Sequence, residues 1–268
     1  MYKRQVALFL KKFLPKSLVY ALIRFKNVYI QQSLFKRVRA FPDRSKKFLI
    51  DQVKKELPDF DVDKHFTPSY NPWEQRMCLI PNSDFFNAIK DKSATVVTDH
   101  IEAFEENGIK LKSGDFLEAD IIVTATGLVL QNFGGVNISV NNNPVNVSET
   151  MTYKSLMYSD IPNFVNSFGY INASWTLKAD LTSTYLCRLI KHMDQNNYLS
   201  ACPKKPLDVD ETYDWLKDFS SGYIQRSIGL HPQQGSKKPW VNYQDYIKDW
   251  FDVKFSKLED GNLIFSKD

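Results

Sequence analysis

The sequence predicts an α/β protein. Three observations point there. Apolar residues recur at helical spacing in the segments 3–14 and 17–40. The run Ile121-Ile122-Val123 reads as a buried strand that stops in the small residues Thr124 to Gly127. Between them, short alternating segments flank Asn107-Gly108, a hairpin signal.

In chain order, residues 3–14 and 17–40 read as helices broken at Pro15, because proline cannot donate to a helix ladder. Val6, Phe9, Leu10 and Phe13 share one face, and Leu18, Leu22, Phe25 and Val28 continue it, with basic residues opposite. Residues 44–56 read as a third helix. From Asp59 to Met77 the period is lost in a long, aromatic-rich loop with two prolines, the kind of segment that often carries function. Residues 83–91 read as a short helix. Ala94–Thr98 reads as a strand, Ile101–Phe104 and Ile109–Leu111 as a hairpin, and Ala119–Thr124 as a closing strand. Val136–Val147 reads as a second hairpin with Asn141–Pro144 at its tip. Residues 161–169 read as a strand ending on glycine, followed by a helix from about Leu177 to Asn196. Asn172, Ser174 and Thr176 offer capping oxygens before that helix. A glycine, small polar residues and a helix N-terminus together favour anions or carbonyl-rich rings. Helices near 210–220 and 242–252 enclose an irregular Gly229–Pro239 loop.

With 268 residues, 43% hydrophobic, the chain is long enough to bury a substantial core. Thirteen lysines and arginines precede residue 48, with Asp43 the one acid among them. Such a block suits a polyanionic neighbour: a nucleotide phosphate, a lipid surface or nucleic acid. No nucleic-acid recognition motif accompanies it, so nucleic acid is not an expected partner. Cys78, Cys187 and Cys202 are odd in number and far apart, which argues against a disulfide scaffold and for a reducing, cytoplasmic setting. The four histidines show no metal-ligand spacing, and no apolar run reaches the length of a membrane span. Peripheral membrane contact through the basic N-terminal helices is the alternative to their packing on a larger body.

Several separated motifs occur in an order that resembles flavin-dependent Baeyer–Villiger monooxygenases, closest to the subgroup of ethionamide-activating enzymes. They are His65–Leu79 (HFTPSYNPWEQRMCL), Val97–Ile101 (VTDHI), Ala119–Gly127 (ADIIVTATG), Gly169–Asp180 (GYINASWTLKAD) and Ser221–Arg226 (SGYIQR). Gln234-Gly235 and Pro239-Trp240 follow. The resemblance implies two dinucleotide-binding, Rossmann-like domains, one for FAD and one for NADPH. It assigns residues 1–127 to the end of the NADPH domain, with a helical N-terminal arm, and residues 128–268 to the closing part of the FAD domain. The chain departs from that family in having no Gly-x-Gly-x-x-Gly turn and no Phe/Gly/His/Trp fingerprint. The expected fold is therefore a partial one that lacks the N-terminal FAD Rossmann unit, and the isolated chain is expected to be inactive and to need a partner.

The resemblance also implies roles. Arg76 would sit near the flavin and stabilise negative charge developing on oxygen; the alternative is a loop arginine paired with Glu74 or Asp99. Ala125, Thr126 and Gly127 would end a strand beside the cofactors, where bulk would collide. Gly169, Asn172, Ala173, Ser174, Trp175 and Thr176 would approach the flavin's pyrimidine edge, or serve as plain helix capping. Tyr70 and Trp73 would line a substrate pocket or simply pack. Lys178 reads as solvated and Asp180 as a first-turn acid. The expected partners are a small-molecule substrate and a separate N-terminal half or oligomer partner. The expected activity is FAD- and NADPH-dependent oxidation of ketones, sulfides or amines. The rival expectation is a non-enzymatic interaction or membrane-surface protein.

Overall fold

The structure is a computed structural model and describes residues 2–78, 80–206 and 219–267. It is mixed helix and sheet. The order is α1 (Tyr2–Leu10), α2 (Lys16–Ala40), α3 (Pro42–Glu56), α4 (Val62–His65), α5 (Asp84–Lys90), β1 (Ile101–Glu105), β2 (Gly108–Leu111) and β3 (Phe116–Glu118). Then come β4 (Ser139–Val140), β5 (Asn143–Pro144), β6 (Thr152–Tyr153), β7 (Met157–Tyr158), α6 (Trp175–Asn196), β8 (Ser200–Pro203), α7 (Gly222–Gln225), α8 (Tyr246–Phe255) and β9 (Leu263–Ser266). The helix expected near 210–220 lies mostly outside the described residues.

The chain forms two compact units. One comprises Met1–Arg37, Val129–Ser220 and Ile224–Asp268; the other comprises Val38–Leu128 and Ser221–Tyr223. The N-terminal arm, which the sequence assigns to the first domain, thus clusters with residues from 129 onward.

In the larger unit, α6 is the organising element. Leu177, Leu181, Tyr185 and Leu189 recur every four residues and are all buried, one stripe facing the core. Burying each leucine contributes on the order of 1.5–3 kcal/mol. Against them pack Val28 of α2, Met151 to Met157 around the β6–β7 hairpin, Trp240, Val253 of α8 and Leu263 of β9. Lys178, expected to be solvated, is only 2% exposed. Its Nζ lies 2.7 Å from Asp249 Oδ2, which also accepts the Tyr170 hydroxyl at 2.7 Å. A buried lysine is tolerable because the α8 carboxylate meets it. Asp245 caps α8, accepting from the Ile247 and Lys248 amides at 3.0 and 3.2 Å, and pairs with Lys36 of α2 at 2.9 Å. At the other end of α8, the Arg188 guanidinium donates to the carbonyls of Val253 and Ser256. β8 and β9 pair antiparallel, Ser200 opposite Ser266 through Pro203 opposite Leu263.

The smaller unit holds an antiparallel meander, β1-β2-β3. The hairpin around Asn107-Gly108 is present, with Glu105 opposite Gly108. A Cβ at Gly108 would stand 2.0 Å from the Leu117 carbonyl oxygen, so the strands approach only because no side chain is there. In the larger unit the second hairpin is also present but short. Asn141 and Asn142 turn it with φ of 51° and 64°, the positive values that a two-residue hairpin turn requires.

Three expected strands are not strands. Residues 94–98, 119–124 and 161–169 carry no strand assignment, and the strands named above pair antiparallel. Ile121 and Val123, expected to be buried, are 82% and 83% exposed. Residues 120–127 make no backbone hydrogen bond among the described residues. β-structure needs a partner for its backbone groups, and apolar composition alone does not supply one. In 161–169 the pairing is replaced piecewise: Asn163 N–H donates to Ala201 O, and the Ala201 amide returns to the Asn163 side chain.

The helical N-terminus also differs from expectation. Val19, Val28 and Gln32 are the buried positions of α2 within this unit, while Leu18, Leu22 and Phe25 are exposed, as are Val6, Phe9 and Phe13. α2 is apolar around much of its circumference, so spacing alone does not choose the buried face. No helix of the described residues is long and apolar enough to cross a membrane.

Candidate functional site

The larger unit brings Gly169, Asn172, Ala173, Ser174, Trp175 and Thr176 together at the start of α6. Ser174 is the N-cap residue, but its hydroxyl contacts Thr176 Oγ1 at 2.7 Å and caps no amide. The amides of Trp175 and Thr176 therefore have no partner among the described residues, two donors at the positive end of a 22-residue helix. Asn172 is 3% exposed. Its amide donates to Gln244 O at 2.9 Å, while its Oδ1 accepts nothing. A buried acceptor left open costs about 1–3 kcal/mol, so a donor from a ligand would relieve it. Gly169 serves the neighbouring ring, since a Cβ there would lie 2.1 Å from Trp175 Cγ.

The geometry of this turn depends on residues that sequence reading did not single out. Gln244 Oε1 accepts the Ile171 amide at 2.9 Å. Asn242 Oδ1 accepts from the amide and the side chain of Gln244, both at 3.2 Å, and Gln234 Oε1 accepts the Asn242 amide at 2.8 Å. The one sequence signal was Gln234-Gly235 among the resembling motifs.

On one side of the turn is a cleft of about 230 Å³, reached by Thr152, Tyr158, Asn166, Phe168, Trp175 and His231. Its aromatic wall is Trp175 against Phe168, ring centres 5.2 Å apart. The Thr152 hydroxyl is buried there without a partner. No aspartate, glutamate, lysine or arginine lines it. Burial raises the Tyr158 phenol above its ordinary pKa, so that hydroxyl stays protonated. On the other side a cavity of about 330 Å³ joins Ser174, Thr176 and Leu177 to Asn27 and Gln31 of α2, where Asn27 Oδ1 is also unpartnered. The donor and acceptor set fits a flat heterocycle with both ring N–H and carbonyl groups, as in the pyrimidine edge of a flavin: two free amides for carbonyls, and Asn172 Oδ1 for an N–H. Among the described residues no cluster of His, Cys, Asp or Glu is placed to hold a metal.

The smaller unit holds the other expected site residues. Tyr70, Trp73 and Arg76 lie in the loop after α4, where Asn71 to Glu74 form a turn closed by the Glu74 carboxylate on the Asn71 amide (2.8 Å) and side chain (3.1 Å). Those bonds, the backbone one first, hold the Glu74 carboxyl below its usual pKa. Trp73 adopts φ 69°, a left-handed conformation that side chains rarely take. Arg76 is exposed and forms no ion pair among the described residues. Neither Glu74 nor Asp99 engages it; Asp99 accepts instead from the His100 and Ser113 amides. Ala125, Thr126 and Gly127 lie in the exposed, irregular segment after β3 and do not end a buried strand.

With this geometry in view, the comparisons identify a class. The chain resembles FAD-containing monooxygenases over nearly its whole length, and its extent fits a C-terminal portion of such an enzyme. The FAD-containing monooxygenase EthA of Mycolicibacterium smegmatis is 44% identical over 257 residues, covering 96% of this chain and 52% of its own. EthA of Mycobacterium tuberculosis is 44% identical over 260 residues, 96% and 53%. The probable FAD-binding monooxygenase AlmA of an Acinetobacter species is 41% identical over 257 residues, 96% and 52%. The chain thus spans about half the length of the curated relatives it matches. No family model and no solved structure matches it.

Proposed function

We propose that this chain supplies the flavin-facing part of a FAD- and NADPH-dependent monooxygenase that oxidises ketones by oxygen insertion, or sulfur and nitrogen centres. The observation that carries the reading is the start of α6. Two free helix amides and the open Oδ1 of buried Asn172 lie within residues 172–176 there, in a chain 44% identical over 96% of its length to a FAD-containing monooxygenase. FAD, when bound, would supply hydride acceptance from NADPH and activation of oxygen. Asn172 would accept the ring N–H, and the Trp175 and Thr176 amides would donate to a ring carbonyl. Trp175 and Phe168 would keep water from that edge. Arg76, its charge not neutralised by a carboxylate, would hold developing negative charge on oxygen, as a guanidinium does well. Tyr70 and Trp73 would line the substrate side, and Ala125–Gly127 would leave room for the cofactors. The phosphate-gripping turns would come from outside these 268 residues.

The test is a FAD titration of the purified, flavin-free chain, followed by flavin fluorescence, alone and mixed with the complementary half of an EthA relative. Saturable quenching in the mixture, with NADPH oxidation, is the expected result. Asn172→Ala should weaken FAD binding about tenfold, one charge-neutral hydrogen bond's worth. If neither preparation binds FAD, the reading fails and the non-enzymatic alternative stands.

A further inference from the structure

α2, α6 and α8 enclose a third and larger cavity, about 680 Å³, within the larger unit, adjoining the 330 Å³ cavity at Tyr20, Arg24 and Val28. It shares no residue with the 230 Å³ cleft. Its floor is apolar: Val28 and Leu181 are buried there. Its sides are aromatic: Phe25 and Tyr29 from α2, Trp250 and Phe251 from α8. Phe25 and Phe251 remain 69% and 57% exposed, a large apolar area left facing solvent at the mouth. The volume falls within the range of about 300–1,000 Å³ typical of small-ligand pockets, and a mostly apolar lining with a few polar groups is the usual composition.

The charges along this lining are unequal. Arg24, Asp180 and Lys254 are its charged members, two cations against one anion. Arg24 is committed: its Nη2 lies 2.6 Å from Asp180, and the Tyr20 and Tyr246 hydroxyls accept from it at 3.1 and 3.4 Å. Lys254 is not. Its Nζ sits 4.8 Å from the Trp250 ring centre and has no carboxylate partner among the described residues. An exposed ammonium beside an apolar, aromatic cavity is complementary to a molecule with one negative end and a greasy body.

We propose that this cavity binds an amphipathic monoanion, a medium- or long-chain carboxylate, with its head on Lys254 and its chain against Leu181 and Val28. The site does not rest on the flavin reading. The experiment is isothermal titration of the purified chain with dodecanoate, dodecanol and dodecylammonium, each below its micellar concentration, with tryptophan fluorescence reporting on Trp250. Dodecanoate should bind saturably, one per chain, about fivefold or more tighter than dodecylammonium. Lys254→Gln, a change at an exposed position, should erase that preference and leave dodecanol binding unchanged. Ala21→Trp, which places a ring on the cavity wall from the exposed side of α2, should abolish binding of all three, with far-ultraviolet circular dichroism confirming the fold. Equal affinity for the three headgroups overturns the proposal. So does unsaturable uptake, or binding that survives Ala21→Trp. Absence of any binding overturns it as well.

Discussion

Replacing Lys178 by methionine should destabilise the chain by about 3–5 kcal/mol. Methionine keeps the aliphatic stem and nearly fills the volume, so the cavity contribution is small. What is lost is the Nζ–Asp249 contact at 2.7 Å, a charge-assisted bond of about 1.5–3 kcal/mol. The remainder comes from leaving the buried Asp249 carboxylate with the Tyr170 hydroxyl as its one strong donor among the described residues. The assay is urea unfolding of wild type, Lys178→Met, Asp249→Leu and the double variant, followed by circular dichroism. Both single changes should lower the midpoint strongly. The double variant should cost clearly less than their sum, because no unpaired charge is left in the core. A Lys178→Met effect below about 1 kcal/mol, or strict additivity, would refute the reasoning, since either would mean that the pair is hydrated in solution.

Asp245→Ala should cost about 1–2 kcal/mol by uncapping α8, measured in the same way. Burial pushes the Asp245 carboxyl upward, but the Lys36 ammonium and the Lys248 and Ile247 amides outweigh it and hold the pKa below the ordinary value. The stability from this depression is therefore present above about pH 3.9 and lost as pH falls through the lowered folded value; Asp245→Asn should flatten that acid limb. Tyr153 and Tyr170 are raised, by burial first and then by the charges around them, Tyr185 and Asp260 for the former and Asp249 for the latter. Their contribution is complete below about pH 10 and declines above it, so absorbance at 295 nm should show a late, cooperative ionisation coincident with alkaline unfolding. Gly169→Ala should displace the Trp175 ring at a cost of about 1–3 kcal/mol, visible as altered near-ultraviolet dichroism. Arg76→Ala should leave stability within about 0.5 kcal/mol, because the side chain is exposed, yet reduce turnover of the reconstituted enzyme about a hundredfold.

Local chemistry made the helices readable. Pro15 separates α1 from α2, and the capping oxygens of Ser174 and Thr176 before Leu177 mark the start of α6. The hairpin turns were readable for the same reason, since Asn107-Gly108 and Asn141-Asn142 state their own backbone needs. The strands around Ile121 were not, because strand character belongs to a pair and no neighbour among the described residues takes up those amides. Lys178 looked solvated because its partner, Asp249, lies 71 residues away. The start of α6 was legible as a site from glycine, small polar residues and a helix in succession. Of the brace behind it, Asn242 and Gln244 were not, because amide side chains reading a distant backbone leave no period in sequence. The α2–α8 cavity was invisible for the same reason: its walls are more than 200 residues apart.

α8 is gripped at both ends, by Asp245 on its first amides and Arg188 on its last carbonyls, and each grip belongs to a different neighbour, since Asp245 also holds Lys36 and Arg188 projects from α6. A helix ordinarily frays from its tips inward, with amide protection falling toward both ends. Here either tip can open only by breaking an ion pair or a bidentate clasp elsewhere. Deuterium should therefore enter α8 late and nearly uniformly, in step with the middle of α6, so that three helices widely separated in sequence open as a single cooperative unit.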